Sequence, residues 1–150
     1  MDGVLEAVLS QRPFRMMRTA RWSECDPAGI VHASRYGDFI SSACDLYLDT
    51  VWGGSARATK RASGVRTPLR SLTIDYERSL RPEGRFFMEA ALEGATERGL
   101  TVTVRGSDAE GALLFEGTVT FACVDLDNGR STPWPDTLRQ ALDRAAAGQD

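Results

Sequence analysis

Residues 24–51 read ECDPAGIVHASRYGDFISSACDLYLDTV, and this stretch decides the fold. It opens as a turn and continues as a helix. In Asp26-Pro27-Ala28-Gly29 the proline fixes its own φ and the glycine can take the positive φ that a tight loop needs. From about Ser34 the apolar period changes, and Tyr36, Phe39, Ile40, Ala43, Tyr47 and Val51 fall on one helical stripe. Gly53-Gly54 then ends the helix.

On either side the period is that of strands. Phe14 to Trp22 alternates, with Phe14, Met16, Ala20 and Trp22 on one side, although Met17 and Arg18 blur the pattern. Ser55 to Gly64 is small and basic and reads as a mobile loop. Leu72, Ile74 and Tyr76 then alternate against Ser71, Thr73, Asp75 and Glu77, and further strand patterns run over 85–92, 100–106 and 113–125. Gly94 to Gly99 and Ser107 to Gly111 read as the hairpin turns between them. After Pro133-Trp134-Pro135, Leu138, Ala141, Leu142 and Ala145 predict a short closing helix. The order is strand, long helix, four-strand antiparallel meander and small helix. That is one α+β domain over 1–150, a sheet of about five strands whose apolar face needs the long helix as its cover.

The bulk properties narrow the function. With 150 residues, 42% hydrophobic and 26% charged, the chain fits one globular domain. A net charge of −3 without a long run of either sign offers no face for nucleic acid or anionic lipid. No apolar stretch approaches the roughly 20 residues that span a bilayer. Cys25, Cys44 and Cys123 are odd in number and scattered, and nothing at the N-terminus resembles a signal core, so reduced thiols and a cytoplasmic setting are expected. With one histidine beside these cysteines, no metal site is expected. There is no Gly-x-Ser-x-Gly elbow and no phosphate-binding glycine loop.

The chemistry concentrates in the turn before the helix. A carboxylate there lies near backbone N–H groups that a helix start leaves unpaired, so one small site can hold both a base and a donor for a developing oxyanion. Thioester cleavage asks for that pairing. Taken alone, Asp-Pro-x-Gly is also a common turn in which the aspartate bonds its own loop.

The stretch Asp26-Pro27-Ala28-Gly29-Ile30-Val31, with Tyr36 following, closely resembles the signature of the 4-hydroxybenzoyl-CoA thioesterase family of hotdog proteins. Arg66-Thr67-Pro68-Leu69 and Pro133-Trp134-Pro135 extend the resemblance over all but the first dozen residues. It implies a hotdog fold, hydrolysis of an acyl-CoA thioester without a cofactor, and Asp26 as nucleophile or general base. It also implies that the Ala33 backbone N–H is the oxyanion donor and that an aromatic acyl group is a candidate. Gly29, Val31 and Tyr36 are then expected around the substrate, with Arg78, Arg81 and Arg98 holding the phosphates of coenzyme A. Relatives often carry an aromatic residue after the valine and a histidine one position later; here His32 comes first, so that role does not transfer, and His32 is expected either at the helix start or lining the pocket. The resemblance further implies a homodimer or homotetramer, which the unpaired edges of such a sheet also require.

Alternatives remain at this stage. A related hotdog branch carries its acid on the central helix, where Asp38, Asp45 and Asp49 are available. Glu24 reads as an exposed strand-end charge. A thioesterase for carrier-protein-bound acyl chains, a non-catalytic acyl-CoA-binding module and a hotdog dehydratase are the competing functions.

Overall fold

The computed structural model describes residues 3–148, so the two residues at each end of the expected domain lie outside the description. The elements, in chain order, are β1 (Glu6–Gln11), β2 (Phe14–Thr19), α1 (Tyr36–Val51), α2 (Ala56–Ala62), β3 (Val65–Arg66), β4 (Leu69–Tyr76), β5 (Arg85–Thr96), β6 (Gly99–Ser107), β7 (Leu113–Ala122), β8 (Val124–Asp125) and α3 (Asp136–Ala146). Six strands form one antiparallel sheet in the order β1-β2-β5-β6-β7-β4, and β3 pairs with β8 apart from it. The wrapped helix that the resemblance implies is α1.

Apolar burial between helix and sheet is the main stabilising contact. Phe39, Ile40, Ala43, Cys44 and Leu48 of α1 are buried against Met16, Phe86, Met88, Val102, Val104 and Phe115. Phe39 and Phe86 rings meet at 5.2 Å between centroids. Gly117 permits the close approach: a Cβ there would stand 2.5 Å from Ile40 Cδ1.

Four expectations need correction. The four-strand meander is a three-strand one, because β4 does not pair with β5. It crosses to the far side and pairs with β7, Leu72 opposite Val119, while β2 takes the place beside β5, Met16 opposite Met88. Burial explains the exchange: Phe14, Met16 and Met17 of β2 are all buried, whereas Leu72 and Tyr76 of β4 are 36% and 51% exposed, as suits an edge. The sheet also has a sixth strand, β1, whose residues lack an alternating pattern and which forms the other edge.

The stretch from Ser55 to Gly64 is a helix for most of its length. Ser55 caps it by accepting from the Ala58 N–H at 3.2 Å, and Ala, Lys and Arg are good helix formers. Gly94 lies within β5 at a register shift, which moves the hairpin turn to Glu97 and Arg98. Among the described residues no helix is long and apolar enough to cross a membrane.

Candidate active site

The chain leaves β2 through a 3-10 turn, Trp22–Glu24, passes through the Asp26 loop, and enters α1 through a second 3-10 turn, Ala33–Arg35. The loop closes on itself. The Asp26 N–H donates to the Ile30 carbonyl at 2.8 Å and the Gly29 N–H to the Asp26 carbonyl at 3.0 Å, with Gly29 at φ 81°. The glycine therefore shapes the turn.

Asp26 Oδ1 accepts from the Ala28 N–H at 2.9 Å and the Ile30 N–H at 3.4 Å. No group among the described residues bonds Oδ2. The carboxylate is thus anchored through one oxygen, as the plain turn reading expects, and the other has no partner among the described residues. It opens into a cleft of about 330 Å³, walled also by Val31, Ala33, Tyr36, Tyr76 and Arg78.

The helix entrance supplies the second half of the site. The His32 N–H donates to the Glu24 carbonyl at 2.9 Å, and the Ser34 N–H donates to His32 Nδ1 at 3.1 Å. Between these lies the Ala33 N–H, for which the described residues provide no acceptor. It is one of the donors a helix start leaves unpaired.

The rings around the cleft are held from behind. The Tyr36 hydroxyl accepts from the Leu80 N–H at 3.3 Å, and its ring stands edge-on to Tyr76 at 4.9 Å and to Phe115 at 5.2 Å. Burial pushes the Tyr36 phenol above its ordinary value, so it stays neutral. Tyr76 donates from its hydroxyl to the Ala33 carbonyl at 3.2 Å. Sequence reasoning counted Tyr76 among the apolar side of a strand; its end-of-strand position beside Glu77 and Arg78 was the signal available.

Not every expected site residue comes here. His32 is exposed and engages Ser34 with its ring, capping the helix entrance without lining the cleft. Arg81 lies in the connection between β4 and β5, where its carbonyl accepts from the Gly84 N–H at 3.1 Å, and it does not line the cleft. Arg98 donates to the Ser131 carbonyl at 3.1 Å and lines a different groove, of about 920 Å³, beside Leu69 and Arg70. That groove lies at the other end of β4, on the order of 23 Å from Tyr76 at the usual rise per strand residue.

The helix acids are elsewhere too. Asp38 is exposed, 3.8 Å from Arg35, and Asp49 accepts from the Ala56 N–H at 2.8 Å. Asp45 is pushed up by burial, with Lys60 opposing. None of the three lines the cleft. Cys25 adjoins Asp26, but burial and then the charges of Asp26 and Glu24 push its thiol above the ordinary value, so it is a poor rival nucleophile. No group of three or more His, Cys, Asp or Glu able to hold a metal occurs among the described residues.

Glu24 corrects its expectation most sharply. It is 4% exposed, not a surface charge. Its carboxylate accepts from Arg18 Nη2 at 2.8 Å and Nη1 at 3.3 Å, and from the Arg21 N–H at 2.8 Å. Burial raises the Glu24 pKa, but the hydrogen bonds from Arg18 and Arg21 and the charges of both arginines bring it below the ordinary value.

Among the described residues the cleft brings together a carboxylate with an unengaged oxygen and an unengaged helix-entrance N–H, an arrangement suited to acyl transfer, and residues 20–142 match the family model of the thioesterase-like superfamily. The chain belongs to the thioesterase-like superfamily. It is a thioester hydrolase of hotdog fold. A search of curated proteins finds no match. Solved structures share the fold: a hypothetical protein of Thermus thermophilus (24% identity, 87% of this chain and 98% of that one, TM-score 0.78) and the 1,4-dihydroxy-2-naphthoyl-CoA thioesterase Slr0204 of Synechocystis (19%, 87% and 95%, 0.76). The hypothetical protein SAV2348 of Staphylococcus aureus, solved in complex with CoA, is similar over all of this chain (11%, 100% and 90%, 0.82).

Proposed function

We propose that this thioesterase hydrolyses an acyl-CoA with Asp26 as the attacking or water-activating carboxylate and the Ala33 N–H as oxyanion donor. The observation that carries the reading is their position in one cleft, with Asp26 Oδ2 and the Ala33 N–H both unengaged among the described residues. The thioester carbonyl lies with its oxygen toward Ala33. Either Asp26 attacks the carbonyl carbon and the resulting anhydride is hydrolysed, or Asp26 takes a proton from the water that attacks. In both routes the negative charge grows on the carbonyl oxygen and falls beside the positive end of α1, while the thiolate of coenzyme A leaves. No cofactor is needed.

The Tyr76 ring, half-exposed at the cleft and backed edge-on by Tyr36, favours an aromatic acyl group, which can stack against it. The Synechocystis neighbour acts on such a thioester, which supports the same class here. Arg78 is the cleft-side cation for a phosphate of coenzyme A. A homodimer or homotetramer is favoured by edge strand β4, whose Leu69, Leu72 and Tyr76 are 48%, 36% and 51% exposed. The unpaired cysteines Cys25, Cys44 and Cys123 suit the cytoplasm.

Release of free thiol from a panel of acyl-CoA esters tests the reading. Turnover of aromatic acyl-CoAs ahead of short aliphatic ones is expected. Tight coenzyme A binding with no hydrolysis of any ester would instead make the protein a binding module.

A further inference from the structure

We propose that the buried Arg18–Glu24 ion pair sets the distance between the Asp26 carboxylate and the Ala33 N–H, which makes Glu24 a positioning residue for thioester hydrolysis. The proposal rests on the Asp26 site described above.

Glu24 touches both ends of the catalytic segment and the sheet. Its carbonyl holds the His32 N–H at 2.9 Å, one peptide before the oxyanion donor. Its side chain holds the Arg21 N–H and the Arg18 guanidinium, and Asp26 follows two residues later. Arg18 is fixed in turn. Its guanidinium lies 4.6 Å from the centroid of the Phe39 ring on α1, it donates to the Thr19 carbonyl at 3.3 Å, and its Nε stands 3.7 Å from Glu6 on β1. A change at the pair therefore reaches β2, α1 and both ends of the loop.

Stability does not account for the pair. A buried ion pair is commonly no more stabilising than apolar side chains of similar size, because both charges lose their water. What the pair adds is direction: two parallel N–H···O bonds fix an orientation that apolar packing leaves looser. Acyl transfer needs that, since a displacement of about 1 Å at a reacting group can cost on the order of 100-fold in rate.

The test compares Glu24→Gln, the apolar double variant Arg18→Met/Glu24→Met and the reference Asp26→Asn. Thiol release from the best acyl-CoA substrate gives kcat and KM, and thermal melting gives stability. Glu24→Gln should lose about 10-fold or more in kcat with KM changed less than about twofold. The double variant should melt near or above the native protein and still turn over slowly. Recovery of native kcat along with stability in the double variant would overturn the proposal and reduce the pair to a structural element. Native kcat in Glu24→Gln, with Asp26→Asn inactive, would overturn the proposal while leaving the site reading intact. Native kcat in Asp26→Asn would remove the site reading and this proposal with it.

Discussion

The two ends of β4 make opposite kinds of cavity. At its start, Leu69 and Arg70 join Arg98 around the larger groove, about 920 Å³, on an open stretch of sheet and hairpin. At its finish, Tyr76 joins Asp26 and Ala33 around a cleft of about 330 Å³. The larger cavity has arginines but no helix entrance, and its Arg98 gives one N–H to the Ser131 carbonyl. The smaller has a carboxylate oxygen and an N–H that find no partner among the described residues, both in one cleft. The proposed site therefore follows unsatisfied polar groups held in place, not volume.

Breaking the smaller cleft should therefore have the largest effect. Asp26→Asn keeps the size and the loop bonds through its amide oxygen, and kcat for an acyl-CoA should fall about 100-fold or more, the lower range for loss of a positioned base. Arg98→Gln in the larger groove should leave kcat within about twofold. An inverted result in thiol-release assays would move the site to the other end of β4.

The support beneath the cleft comes next. Glu24→Gln leaves Arg18 buried without its charge partner and should destabilise the fold by about 3 kcal/mol, the range for breaking one side of a buried pair. The pH dependence has a definite sign. The Glu24 carboxyl is held below its ordinary value of 4.5, so the folded chain binds fewer protons there than the unfolded one. Its contribution is present above that value and is lost as pH falls through the lower folded value. Melting curves of native protein and Glu24→Gln should differ most near neutrality and converge only in acid, once pH has fallen through the depressed folded value. A gap independent of pH would contradict the assignment.

A smaller effect separates the arginines. Arg78→Gln, at the cleft, should raise KM for an acyl-CoA several-fold while affecting a truncated pantetheine thioester little, since only the former carries the nucleotide phosphates. Arg81→Gln and Arg98→Gln should change neither. Smallest of all, Asp38→Asn, Asp45→Asn and Asp49→Asn should each leave turnover within about twofold; a helix acid whose loss stops hydrolysis would transfer the catalytic role to α1.

The legible parts of the molecule are those with a local signal. The stripe from Tyr36 to Val51 carries a helical period, and the Asp26 turn carries Pro27 and Gly29, so both could be placed from residue spacing. Strand order has no such signal: alternation in Leu72, Ile74 and Tyr76 says that a strand exists, not that it crosses to pair with β7. The Arg18–Glu24 pair was hidden for a different reason. Charged residues default to the surface, and these two are brought together only by a 3-10 turn that tertiary packing selects. The role of His32 is set by a structural detail, the Ser34 N–H donating to its ring.

The most direct test of the account is to measure binding and turnover separately at Asp26. Calorimetry with a non-hydrolysable thioether analogue of the best acyl-CoA, on native protein and on Asp26→Asn, is set beside kcat for the thioester itself. The account predicts affinities within a few-fold of each other and rates apart by about 100-fold or more, because Asp26 acts in the transition state. Native turnover in Asp26→Asn, or an affinity loss as large as the rate loss, would contradict it.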